Sequence, residues 1–139
     1  MNRAQRRAFA ATADRAAAIL AASTYDRAKD GCLARVAHPR AQAALRRALA
    51  HVLRHGCRPH VTRLSREEAA AFPHPPEAPP GAGHWLAVGV DRDGRGAFVL
   101  RAATMLGAAC PVSERRAAEA MMLAELRPLL AERWATTRR

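Results

Sequence analysis

A chain of 139 residues, half of them apolar, is long enough to bury a core of its own without disulfide or metal support. Its net charge of +11, carried almost entirely by arginine, favours nucleic acid or an acidic protein surface as a partner. No apolar run is long enough to cross a bilayer, and three widely spaced cysteines make no disulfide framework. These features predict one cytoplasmic domain spanning residues 1–139, with no membrane association.

The first predicted helix extends from Arg3 to about Lys29, with Gly31 as its expected stop. Its apolar face is formed by side chains at helical spacing, namely Phe9, Ala13, Ala16 and Leu20. The arginine-rich opening, residues 1–8, is similar to the starts of many small phage and mobile-element proteins. It therefore favours a small bacterial or phage accessory protein.

The second predicted helix has the clearest signals in the chain, because Pro39 suits a first turn and Gly56 follows its end. One stripe is apolar and consists of Ala41, Leu45, Ala48, Leu49 and Val52. At 100° per residue, basic side chains fall on the opposite side, namely Arg40, Arg47, His51 and Arg54. We expect this helix to bury one face and to expose a basic one.

The middle of the chain is predicted to contain a short strand, a short helix and a loop. Residues His60–Leu64 are predicted to form a strand, and Ser65 with Glu68 matches a capping box for a short helix ending at Phe72. Residues 73–83 contain five prolines and are predicted to form an exposed loop, since proline cannot lie inside a helix or a central strand.

A hairpin and a final helix complete the prediction. Strands at 84–90 and 97–103 flank a long turn, with Leu86, Val88 and Val90 expected to share a face with Phe98, Leu100 and Ala102. Trp85 and Arg101 are expected to stack across the hairpin. Ser113 is the predicted cap of a helix ending near Trp134. The expected fold class is α+β, with three main helices packed on a small antiparallel sheet that contains the hairpin.

Acidic residues are absent between Asp30 and Glu67, although basic residues are frequent there. This acid-free segment, 31–66, suggests a surface that neutralises phosphates without reading base sequence. The predicted anion-binding residues are Arg40, Arg46, Arg47, His51, Arg54, Arg58 and Arg63. An alternative is that carboxylates elsewhere in the chain fold over this segment and pair with it.

The sequence contains partial patterns for a metal site and for a reactive cysteine, but each one lacks a required feature. His51, His55, Cys57 and His60 have spacing that could suit zinc, but nearby arginines oppose a cation, so no metal is predicted. Residues 91–102 resemble a calcium loop but lack oxygen ligands at two required positions. Cys110 would be reactive only beside a base such as His84. No catalytic residues and no cofactor are predicted, and whether the protein is an enzyme stays open.

Two functions therefore compete at the level of sequence. The first is a small binding module that engages nucleic acid phosphates non-specifically through residues 31–66. The second is a protein-interaction or inhibitor module that docks on an acidic partner or self-associates as a homodimer. A helix-turn-helix is not favoured, because ten residues separate the second helix from the next one and that next helix carries Glu67 and Glu68.

Overall fold

The computed structural model describes residues 2–28, 30–78, 80–91, 96–104 and 111–137, with backbone alone for residues 27, 111–113 and 131–137. The elements in chain order are α1 (Arg3–Ala22), β1 (Tyr25–Arg27), β2 (Leu33–Arg35), α2 (Pro39–Arg54), β3 (His60–Leu64), α3 (Arg66–Ala70), β4 (Gly83–Val90), β5 (Ala97–Thr104) and α4 (Pro111–Thr137). The described residues thus contain four helices and two antiparallel sheets. The α+β prediction is confirmed.

Helices cover both faces of the larger sheet, whose strand order is β3-β4-β5. On one face, Leu86 and Val88 of β4 pack with Leu45 and Leu49 of α2, and α1 packs on the same cluster through Leu20. On the other face, Trp85 and Ala87 pack with side chains of α4, namely Ala118, Met122 and Leu126. Since β4 is the central strand and is covered on both sides, its residues from Trp85 to Val90 are all buried.

The hairpin is present, but its register differs from the one expected. Val90 lies opposite Ala97, which places Val99 opposite Val88 and Arg101 opposite Leu86. Phe98, Leu100 and Ala102 therefore pack on the α4 side with Trp85, and the expected grouping of these residues with Leu86 was wrong. Because side chains alternate between faces, a pairing shift of one residue transfers a whole strand to the other face. The apolar pattern of β5 fits either face, so hydrophobicity alone does not determine the register.

The first helix ends earlier than expected, at Ala22, and the following residues form the β1–β2 ribbon. Thr24 contributes to the stop, because its hydroxyl donates to the Leu20 carbonyl at 2.7 Å. Gly31 lies in the turn of the ribbon with a φ of 89°, so its role as a helix stop was wrong. At the other end, Asn2 and Gln5 form a capping box.

The elements that carry the basic segment agree with the sequence prediction. The second helix starts with His38 as its cap and Pro39 in its first turn, and its expected apolar stripe is buried. Gly56 and Cys57 follow it with positive φ values of 72° and 58°, which turn the chain toward β3. Ser65 and Glu68 form the predicted capping box of α3. Signals within a few residues of each helix end were therefore sufficient to predict where these helices begin.

The last helix differs at its start. It begins at Pro111, a residue type favoured in the first turn, so Ser113 lies inside the helix and its predicted role as the cap was wrong. Ala118, Met122 and Leu126 are fully buried against the sheet, and Leu130 is partly buried. The helix thus supplies one complete face of the core.

Candidate polyanion-binding face

The predicted anion-binding residues occupy one helix and the loop and strand that follow it. All of them are exposed in the structure, namely Arg40, Arg46, Arg47, His51, Arg54, Arg58 and Arg63; we refer to this set as the basic face. Within α2, the rotation of 100° per residue places Arg40, Arg47, His51 and Arg54 within about 60° of one another. With a rise of about 1.5 Å per residue, this stripe is about 21 Å long.

Three arginines of the basic face pair with carboxylates from other elements. Arg54 Nη2 donates to Asp14 of α1 at 2.5 Å, and Arg47 forms an ion pair with Glu68 of α3. Arg63 lies 3.9 Å from Glu114 of α4. Their side chains remain 40%, 67% and 54% exposed, in the order Arg54, Arg47, Arg63. The expected alternative, pairing by distant carboxylates, therefore applies to part of this surface.

The other three arginines of the basic face, Arg40, Arg46 and Arg58, form no ion pair with the described carboxylates, and all three are exposed. Arg46 Nε donates a long hydrogen bond of 3.4 Å to the Gln42 carbonyl. Exposed ion pairs stabilise a protein by only about 0–1 kcal/mol. A polyanion can therefore compete with Asp14 and Glu68 for their arginines at small energetic cost.

Three imidazoles stack between α2 and β3. The ring centroid of His51 lies 4.1 Å from that of His55 and 3.8 Å from that of His60. Burial, then the nearby charges of His51 and Arg115, lower the pKa of His60 to about 4. Burial and the charges of His55, Arg115 and Arg54 also lower the pKa of His51. At neutral pH His60 is therefore neutral and adds no positive charge to this region.

The remaining candidates for chemistry receive no support as sites. Within the described ranges, no group of three histidine, cysteine or acidic side chains is arranged to hold a metal ion. Cys57, the proposed fourth member of the histidine cluster, is a free and exposed thiol. Cys110 and positions 92–95 of the calcium-like loop lie outside the described residues.

Sequence reasoning missed a buried polar network that positions Arg63. Trp85 Nε1 donates to Thr104 Oγ1 at 3.0 Å, and that hydroxyl donates to Glu114 Oε1 at 3.0 Å. Glu114 is 2% exposed and faces Arg63, whose guanidinium lies 5.9 Å from the Trp85 ring centroid. No local pattern reveals this network, because its members come from three strands and one helix.

The expected stacking of Trp85 with Arg101 was wrong. Arg101 instead lies 4.9 Å from the Phe72 ring centroid and pairs with Asp26 at 2.5 Å. The strand register explains why Arg63, and not Arg101, lies beside Trp85. Arg63 is directly opposite Trp85 in the sheet, whereas Arg101 is opposite Leu86. Arg63 therefore takes the position beside the indole.

Comparison of the chain with protein-family models, with curated proteins and with solved structures finds no match. Among the described residues, no helix combines the length and the apolar character that crossing a membrane requires. The functional argument therefore depends on the surface itself.

Proposed function

We propose that this protein is a small basic binding module that engages nucleic acid phosphates through the basic face. The observation that carries the proposal is the exposed stripe on α2, together with the exposed Arg58 and Arg63 that follow it along the chain; this set includes arginines without carboxylate partners in the described chain. Arginine suits this role because its planar fork can donate two parallel hydrogen bonds to a phosphate.

The contacts available on this surface favour backbone recognition over base reading. Its cationic groups lie on the outside of a helix that is flanked by α1 on one side and by β3 on the other. Contacts of this kind supply affinity and salt dependence but carry no sequence information. The proposed activity is therefore non-specific binding in the cytoplasm, as expected for a bacterial or phage accessory protein, and it requires no cofactor.

Binding to a fluorescent 20-base-pair DNA duplex, measured by anisotropy at several salt concentrations, tests the proposal. Each phosphate contact adds about 0.9 to the negative slope of log K against log salt. Replacing Arg40, Arg47 and Arg54 together by glutamine should lower that slope by about one to three units, because Arg47 and Arg54 are partly neutralised by their carboxylate partners. A single-stranded RNA of equal length compares the two kinds of nucleic acid.

The matched control replaces arginines of α1, outside the basic face. Arg3→Gln with Arg7→Gln and Arg15→Gln removes the same formal charge from exposed positions. If both triple variants reduce the slope equally, binding depends on net charge alone and the assignment of the face is wrong. If the wild-type protein binds neither nucleic acid at low salt, the proposed function itself is wrong.

A second candidate function, self-association, is favoured by a different observation. Ile19, Tyr25 and Leu33 are 72%, 56% and 59% exposed, and they lie near the end of α1 and on the ribbon. Large apolar side chains exposed in one region of the surface often mark interfaces between proteins, and these three residues are separated by at most 14 positions along the chain. Light scattering after nuclease treatment tests it: a dimer that Leu33→Lys dissociates would support this function, and a monomer at high concentration would exclude it.

A further inference from the structure

A cavity of about 460 Å³ lies between the end of β3 and the proline-rich loop. It is lined by backbone and side chains of Arg63, Leu64, Ser65, Arg66, His84 and residues 78 and 80–82. Three of these residues are basic and none is acidic. Its size falls within the range of sites that hold small molecules, which is about 300–1,000 Å³. Only Arg63 also belongs to the basic face.

The basic groups of this cavity differ from ordinary surface arginines because one of them is held in place. Glu114, which is fully buried, faces Arg63 at 3.9 Å and is itself bonded to Thr104. The guanidinium carbon of Arg63 also lies 5.9 Å from the centroid of the Trp85 ring. A side chain restrained in this way loses less conformational entropy when it binds a ligand.

The other two basic residues of the cavity, Arg66 and His84, differ in what they can offer a ligand. Arg66 is exposed and forms no ion pair with the described carboxylates. The Nδ1 atom of His84 is buried and has no hydrogen-bond partner among the described residues. Because that atom is closed to solvent, a ligand in the cavity cannot reach it, and His84 contributes to the cavity only as part of its wall.

We propose that this cavity binds a terminal phosphate group, with Arg63 and Arg66 as its charged ligands. A phosphate monoester suits the cavity better than a carboxylate does, because it carries up to two negative charges and three terminal oxygens for separate donors. The volume leaves room for a nucleoside attached to the phosphate. The source of the phosphate is either a free mononucleotide or the 5′ end of a nucleic acid strand.

Isothermal titration calorimetry with defined probes tests this site. The probes are adenosine 5′-monophosphate, adenosine, and one single-stranded 12-mer with either a 5′-phosphate or a 5′-hydroxyl. In at least one of the two pairs, the probe that carries the phosphate should bind at least about tenfold more tightly than the probe that lacks it. One charge-assisted hydrogen bond can supply an affinity ratio of this size. Arg66→Gln and Arg63→Gln should each abolish that ratio, whereas Arg40→Gln, outside the cavity, should leave it unchanged.

The outcomes distinguish the two sources of the phosphate, and they test the phosphate site in the cavity separately from the basic face. Discrimination with the mononucleotide pair identifies a small ligand, and discrimination confined to the 12-mers identifies a strand end. No discrimination in the wild type, or discrimination that survives Arg66→Gln, overturns the site. Arg66 is exposed, so its variant keeps the test decisive even if Arg63→Gln fails to fold. Binding of the 5′-hydroxyl 12-mer reports on the basic face alone, so either proposal can fail without the other.

Discussion

At the scale of single residues, the half-buried His60 links stability to pH. Its pKa of about 4 in the folded protein lies below the ordinary value of 6.5, chiefly because burial disfavours the charged ring. Between these values the unfolded chain binds a proton that the folded chain does not. The stabilising contribution of His60 is therefore fully present above pH 6.5 and is lost as the pH falls toward 4.

We predict that His60→Gln reduces the loss of stability on acidification. Urea unfolding at pH 7.5 and at pH 5.0 measures the difference in the free energy of unfolding for each variant. The control is His38→Asn, which removes an exposed imidazole and retains a side chain able to cap α2. An unchanged difference in His60→Gln would show that His60 titrates normally in the folded protein.

Gly83 lies at a position where the structure leaves no room for a side chain. A Cβ atom at this position would collide with Oε1 of the buried Glu114. We predict that Gly83→Ala lowers the free energy of unfolding by about 1–3 kcal/mol, the usual cost of overpacking. In a Glu114→Ala background the same change should cost much less. Equal costs in both backgrounds, measured by urea unfolding, would contradict this explanation.

At the scale of elements, a buried ion pair joins the β1–β2 ribbon to β5. The side chains of Asp26 and Arg101 are each 5% exposed, and Asp26 also accepts a hydrogen bond from the His74 backbone N–H at 3.0 Å. Burial lowers the pKa of Arg101, and the charge of Asp26 opposes that shift. One carboxylate thus holds the ribbon, the proline-rich loop and the sheet edge together.

We predict that Asp26→Asn destabilises the protein by about 3–5 kcal/mol, because it leaves the Arg101 charge buried without compensation. Thermal and urea unfolding measure this loss. Asp30→Asn, in the turn of the same ribbon and exposed, is the matched control and should change stability by less than about 0.5 kcal/mol. Similar losses in the two variants would mean that the buried pair does not anchor the ribbon.

At the scale of the whole molecule, carboxylates from separate elements fold onto the basic face. Asp14 of α1 forms an ion pair with Arg54 of α2, and Glu68 of α3 forms an ion pair with Arg47 of α2. Burial raises the pKa of Glu68, but hydrogen bonds from Ser65 and Arg47 outweigh it and hold that pKa below its ordinary value. At neutral pH Glu68 is therefore charged and competes with any phosphate for Arg47.

We predict that Asp14→Asn with Glu68→Gln strengthens binding to the DNA duplex several-fold and steepens its salt dependence, because two arginines are released. Glutamine retains the capping box of α3. The control is Asp30→Asn with Glu77→Gln, which changes the net charge equally at exposed positions away from α2. Equal gains in the two variants, measured by anisotropy, would show that the carboxylates exert only a general charge effect.

The sequence alone determined the elements whose signals are local. Pro39 and Gly56 bracket α2, and Ser65 with Glu68 marks the start of α3, because caps and helix breakers act within a few residues. The exposure of Arg40, Arg47, His51 and Arg54 on α2 followed from helical periodicity in the same way. These features required no knowledge of which elements meet.

Only the tertiary structure decided which residues meet across the chain. Asp26 and Arg101 are 75 residues apart, and Arg54 and Asp14 are 40 apart, so no local pattern could pair them. The hairpin register was also decided there, since the faces of β4 and β5 are both apolar and hydrophobicity does not distinguish one parity from the other. The physical reason is common to all three: burial and charge pairing act through space, whereas the sequence orders residues only along the chain.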